Sequence, residues 1–210
     1  IIDSYFYDNS QGVAEGMRIG NFNAARGSTI NVRMSGNYAW GQKVGRLIEN
    51  PGGLESSMTI LSLGNTFYSN AAGTIILGGL AGNNSRADGN TINFEAHGDT
   101  FIYNAMEYDL DPGGLVVKAM ENVSTNASGS NNNVNVKLRG CRMLGNTPFD
   151  LIGVGARSLT EATGNLSQNN RVTIDIAGPG NGNGKWQRDD FIANTTPAGP
   201  SFGNSVTVIR

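Results

Sequence analysis

With one cysteine and one histidine in 210 residues, this chain has little from which to build a metal centre. Cys141, being alone, excludes an internal disulfide or a thiolate cluster, and the lone His97 excludes a multi-histidine site. Charge is sparse too: 15% Asp, Glu, Lys and Arg, a net charge of −2 and a pI near 5.4. Such a composition lacks the basic footprint of a nucleic-acid binder and the like-charge blocks of a solvated tail. No nucleic-acid partner is therefore expected. The longest apolar run, TIILGGLAG from Thr74 to Gly82, is too short and too rich in glycine to cross a bilayer. No membrane insertion is expected. No basic segment followed by an apolar one opens the chain, so any signal peptide is expected to have been removed or to belong to a longer precursor. P-loop, G-x-S-x-G, H-E-x-x-H and kinase elements are all missing.

Glycine is abundant, at 30 residues, about twice its ordinary share of roughly 7%, and asparagine nearly matches it. Neither a G-X-Y period nor a proline excess accompanies the glycine, so the chain is not collagen-like. The glycines punctuate a repeat. Four segments alternate apolar and polar residues with period two: TINVRMSG from Thr29, TINFEAHG from Thr91, VNVKLRG from Val134 and VTIDIAG from Val172. After the glycine comes an apolar anchor and, three residues on, an amide. The pairs are Phe6 and Asn9, Phe67 and Asn70, Phe101 and Asn104, Met143 and Asn146, and Phe191 and Asn194. A short apolar strand follows in most units, as GMRI, GRLI, GTIIL and GLVV, and a polar loop returns the chain to the next alternation.

Gly36, Gly64, Gly98, Gly140 and Gly178 step by 28, 34, 42 and 38 residues, the spacing of a solenoid whose loops vary while its strands hold their pattern. Helical patterns are scarce, so the strands cannot be joined by helical crossovers. The fold class expected is all-β, a single-stranded parallel β-helix of about five to six coils spanning residues 1–210 as one domain. PGNGNGKWQRDD, residues 179–190, reads as an excursion loop. Glycine, and secondarily asparagine, tolerates the left-handed backbone of each corner. Asn9, Asn70, Asn104 and Asn146 are expected in equivalent turns, where their amides hydrogen-bond from coil to coil.

Two units depart from the pattern. GNYAWGQ puts Ala39 and Gln42 where Phe and Asn stand elsewhere, with Tyr38 or Trp40 expected to fill the gap. Leu61 and Leu63 break the inside–outside alternation, which points both of them outward.

The units GNTFYSN–AAGTIIL and GDTFIYN, with their Asn-rich returns, resemble the right-handed parallel β-helix superfamily that includes pectate lyases, polygalacturonases and many bacterial surface proteins. The Phe-x-x-Asn element is similar to the repeats of autotransporter-type surface passengers. The resemblance covers nearly the whole chain and implies right-handed coils and an extracellular or cell-surface setting. It assigns no catalytic residue by itself.

Outward columns carry the candidate chemistry. One reads Arg33, Leu61, Glu95, Lys137, Asp175, and its neighbour Ser35, Leu63, His97, Arg139, Ala177. Alternating signs at Glu95, Lys137 and Asp175 are expected to form a cross-strand charge ladder. The same cluster of Glu95, His97, Lys137 and Arg139 has the base and cations that proton abstraction beside a uronate carboxylate needs, as the resemblance to polysaccharide lyases implies. Glu107, Asp109 and Asp111 in EYDLDP are spaced for Ca²⁺, although a complete calcium loop is missing; otherwise no cofactor is expected. Asp189 and Asp190 are similar to the aspartate pair of polygalacturonases, yet that family's Gly-His-Gly and Arg-x-Lys are not present. Trp186 and Trp40, with Tyr38 and Tyr68, are candidates for stacking on sugar rings.

Two function classes follow. The leading one is a non-enzymatic extracellular or surface protein, structural or adhesive, stacking end to end with copies of itself into filaments. The other is a carbohydrate-active enzyme (lyase, hydrolase or epimerase) acting on an acidic polysaccharide.

Overall fold

The computed structural model describes residues 1–7, 15–21, 26–82, 84–104, 113–124, 126–147, 149–158, 165–176, 189–195 and 201–210. For Tyr7, Glu15, Ser158, residues 189–195 and Ser201 it describes the backbone alone. These residues form an all-β structure with no helix among them, and every strand pairing is parallel.

The alternating segments make the first sheet, from Thr29–Ser35, Ser57–Leu63, Thr91–His97, Asn133–Arg139, Arg171–Asp175 and Ser205–Ile209. Each strand pairs only with the strands one repeat before and one repeat after it. The second sheet holds the anchors: Tyr5–Tyr7, Tyr38–Trp40, Thr66–Tyr68, Thr100–Ile102 and Arg142–Leu144. The third collects Glu15–Gly20, Val44–Pro51, Ala72–Ala81, Gly113–Asn122, Leu151–Ser158 and Asp189–Thr195. A short fourth sheet joins Ser128–Ser130, Leu166–Gln168 and Ser201–Phe202. Successive repeats thus lie in register on four sides, an arrangement consistent with a β-solenoid.

Period two decides what is inside. Met58, Ile92, Val134 and Val172 follow one another in register and are fully buried, as do Ile60, Phe94, Val136 and Ile174. Phe67 and Phe101, each in its own repeat, stack with ring centroids 5.2 Å apart. The third sheet buries both faces: Ile48, Ile76 and Val117 join the main core, while Leu47, Ile75, Leu77 and Val116 form a second apolar cluster. Strands covered on both sides lose the alternation, which is why these read as continuous apolar runs.

Most corners are a pair of residues, the first left-handed and the second carrying a buried polar side chain. Gly64 (φ 60°) precedes Asn65, Tyr103 (φ 51°) precedes Asn104, and Gly89 (φ 67°) precedes Asn90. The ladder asparagines themselves are not left-handed. The strain falls on the residue before, and where that residue is Ser69 or Tyr103 it is borne without glycine's freedom.

The amides form columns with a fixed polarity. Asn104 Oδ1 accepts from Asn70 N (3.1 Å) and Asn70 Nδ2 (3.0 Å). Asn104 Nδ2 donates forward to Asn146 Oδ1 (2.8 Å) and back to the Phe67 carbonyl (3.0 Å). The same scheme links Asn90, Asn132, Asn170 and Asn204. Both ends of each of these amides are used across repeats, so these buried asparagines carry little desolvation penalty.

Tyr38 and Trp40 do not fill the gap left by Ala39. Ala39 is fully buried, whereas Trp40 points outward and is 44% exposed. The strand's alternation forces both neighbours of an inward residue to the outside.

Candidate functional site

On the outer face of the first sheet, Leu61 and Leu63 are half-buried and their neighbour Ser62 is fully buried. Beside them Glu95 Oε1 lies 2.8 Å from His97 Nε2, both side chains about half exposed. Lys137 sits directly across from Glu95 in register. Thr59, Leu61, Asn93, Glu95, Asn135 and Lys137 line a cleft of about 350 Å³. Asn135 Nδ2 donates to Asn93 Oδ1 at 3.0 Å across its floor.

The charges here do not pair as a straight cross-strand ladder. Glu95 turns to His97 on its own strand, and Asp175 takes Arg139 diagonally, with Nη2 to Oδ2 at 2.6 Å and Nη1 to Oδ1 at 3.2 Å. A guanidinium reaches a carboxylate in bidentate fashion, a geometry that the point charge of Lys137 cannot match. The hydrogen bond to Asp175 raises the Arg139 pKa further above its ordinary value, the nearby charge of Asp175 adding to it against some desolvation. Glu95, His97 and Lys137 are therefore brought together, while Arg139 is committed to Asp175.

The other candidates fall elsewhere. Asn70, Asn104 and Asn146 lie in one amide column, Asn146 Nδ2 also donating to Asp150 Oδ1 at 2.8 Å. Asn9, Trp186, Glu107, Asp109 and Asp111 lie outside the described residues, as do residues 179–188. Asp189 and Asp190 open the strand Asp189–Thr195. Among the described residues no group of three His, Cys, Asp or Glu side chains is placed to hold a metal ion.

A second cleft, of about 410 Å³, opens beside Leu54 between Arg26, Glu55, Arg86 and Asp88. Its charges are matched internally: Arg26 Nε to Glu55 at 3.2 Å and Arg86 to Asp88 at 2.7 Å. Asp88 is tied down as well, its Oδ1 accepting from Ser130 N and Oγ, both at 2.9 Å.

The sequence reading missed a cluster inside the core. Arg46, within GRLI, is fully buried, its guanidinium 4.5 Å from the Phe67 ring centroid and 4.8 Å from that of Phe94. Its Nη1 donates to Ser62 Oγ (2.6 Å), and its Nη2 reaches Asp99 Oδ2 at 3.4 Å. Ser62 Oγ donates to the same Oδ2 at 2.5 Å, while Asp99 Oδ1 accepts from Asn65 N and Nδ2 at 2.9 and 3.2 Å. Burial lowers the Arg46 pKa and the attraction of Asp99 opposes that. Cys141 takes the next corner of this column, and burial, with the charge of Asp99, pushes its thiol up to about 11.

Fold and sites define an all-β protein of stacked parallel sheets with internal polar columns. No family model, curated protein or solved structure matches the chain.

Proposed function

We propose that the chain is a right-handed parallel β-helix of five to six coils that serves as a structural or adhesive rod outside the cell or on its surface. Its coils would be continued end to end by further coils of the same kind. The observation that carries this reading is the interface between repeats, where register, apolar column and amide column all coincide. The strand Ser205–Ile209 has that chemistry on one side only. Its Val206 and Val208 are half-buried, whereas Val172 and Ile174, their partners in register, are buried. At the opposite end Ile30 and Val32 are likewise part-exposed over buried Met58 and Ile60. A further coil of the same kind, from a longer chain or from a second copy, completes either face, and a head-to-tail contact between copies that does not close grows a filament.

Sedimentation velocity across a concentration series tests the stacking: mass should rise with concentration and fall when Val208→Pro removes an edge donor. A strictly monomeric species at every concentration would refute it.

The cleft that gathers Glu95, His97 and Lys137 supports a second reading, a polysaccharide lyase or hydrolase acting on an acidic glycan. Incubation with polyuronides, with and without Ca²⁺, decides it by the ultraviolet absorbance of unsaturated product or by new reducing ends.

A further inference from the structure

The outer face of the second sheet carries a feature that neither cleft uses. Its strands are three residues long and present two outward positions each, which the register aligns into two files. One file runs Tyr5, Tyr38, Thr66, Thr100, Arg142; the other continues from Trp40 through Tyr68 and Ile102 to Leu144. Tyr103 joins them from the corner. Tyr5, Trp40 and Tyr103 are exposed by 74, 44 and 53%, and Tyr38 and Tyr68 are half-buried. The rings brace one another: Tyr5 against Tyr38 at 6.0 Å, and Tyr68 edge-on to Tyr103 at 6.1 Å. Arg142 is the one charge in either file.

Tyr103 adds an independent signal. It takes the left-handed corner position (φ 51°) that Gly41 and Gly145 occupy in other repeats. Its ring lies against the backbone of Gly145, so that a Cβ there would meet Tyr103 Cδ1 at 2.5 Å. An exposed aromatic held in a strained conformation, against a neighbour that must stay glycine, is costly to folding and points to a role outside it.

We propose that this strip binds an extended, uncharged polysaccharide chain lying along the stacking direction of the repeats. Shape, surface chemistry and charge choose the occupant. The strip is five strands long, about 19 Å, but only two outward residues, about 7 Å, wide. That outline is narrow beside the roughly 800 Å² per partner that a stable protein–protein contact buries. A linear polymer one sugar wide fits that outline. Ring faces with hydroxyl tips suit the mixed apolar and hydroxylated surface of a sugar, and Thr66 and Thr100 add hydroxyls alongside. The near absence of charge fits a neutral glycan better than a polyuronide. One repeat also advances about as far as one sugar of an extended chain, so rings in successive repeats meet successive sugars.

This inference rests on the adhesive-rod reading, and the two fail separately: sedimentation reports on stacking, and calorimetric titration on the strip. The titrants are neutral hexasaccharides (cellohexaose, xylohexaose and mannohexaose) with hexagalacturonate as the acidic comparison. At least one neutral hexamer should bind, more tightly than its trimer and more tightly than hexagalacturonate. Trp40→Ala and Tyr103→Gly should each weaken it at least tenfold, whereas Arg171→Ala, on the first sheet, should not. Tyr103→Gly relieves the left-handed strain, so its melting temperature should hold or rise and unfolding cannot account for lost binding. The proposal is overturned if no neutral hexamer binds at millimolar concentration, if hexagalacturonate binds better, or if both strip variants bind like the parent. A lateral dimer abolished by Trp40→Ala would likewise overturn it, in favour of a second copy on the strip.

Discussion

Replacing Asp99 by asparagine changes one atom and restores the residue found at Asn37 and Asn65 in the same column. Column chemistry alone predicts a neutral or improved protein. The core cluster predicts the opposite. Arg46 and Asp99 are both fully buried with 3.4 Å between Nη2 and Oδ2, a separation whose attraction is about 5 kcal/mol at an effective dielectric constant of about 20. Losing Asp99 leaves the guanidinium with Ser62, the Met34 sulfur and two aromatic faces, and its Nε has no hydrogen-bond partner among the described residues. An uncompensated buried charge typically costs about 3–5 kcal/mol, so Asp99→Asn should destabilise by that amount. Arg46→Met should also destabilise, by leaving the carboxylate unpaired. The double variant, with both charges gone and the column intact, should return to within about 1 kcal/mol of the parent or exceed it. Equilibrium urea unfolding of all four proteins at pH 7 closes the cycle, with an expected coupling energy of about 3 kcal/mol or more. A loss below about 1 kcal/mol for Asp99→Asn, or a double variant as unstable as the two singles combined, would refute the reasoning.

Phe101→Ala removes a fully buried ring stacked on Phe67 and should cost about 3–5 kcal/mol in the same assay. Asn104→Ala breaks an amide bonded to the repeats on both sides and should cost about 1–3 kcal/mol, because Asn70 and Asn146 lose partners in a dry corner. Gly73→Ala would place a Cβ 2.4 Å from the Gly114 carbonyl oxygen; a loss of about 1–3 kcal/mol is expected from the forced separation of two repeats. For Cys141, the folded thiol titrates near 11, above its ordinary 9.0. The stability it contributes is therefore complete below about pH 9 and is lost as pH rises through 11. Cys141→Ala should flatten that part of the pH–stability curve by up to about 2–3 kcal/mol relative to the parent, and the native thiol should resist disulfide reagents at pH 8.

Much of the architecture is local information. The period-two segments name their own inward residues, because a strand can only alternate, so Ile92, Phe94 and Val134 are core by arithmetic. The spaced glycines and the Phe-x-x-Asn element name the corners that hold Asn70, Asn104 and Asn146, since each of these repeats faces the same problem of turning. The pair Phe191 and Asn194 is the exception: both lie within the strand Asp189–Thr195 of the third sheet, in register with Gly153 and Ala156, because the element is too short to tell an anchor strand from its neighbour. Which residue bears the left-handed strain was less legible. It is the residue before the amide, and Ser69 and Tyr103 show that the position accepts side chains.

What the tertiary structure alone decided is how the exceptions answer one another. Arg46 amid apolar strands, Ser62 breaking the alternation of ILSL, and Asp99 in an asparagine's place lie 16 and 37 residues apart along the chain, and each looks like a separate flaw. Folded, they are one charge-compensated cluster that each repeat supplies in part. The same holds outside. Glu95 was free to pair with Lys137 or with His97, and Asp175 with Lys137 or Arg139; side-chain reach chose His97 and Arg139. Tyr5, Trp40 and Tyr103 became one strip only when four repeats were laid in register. Alternation is a property of each strand by itself, whereas charge pairing and surface continuity depend on which repeat lies next to which, and only the stacked structure specifies that.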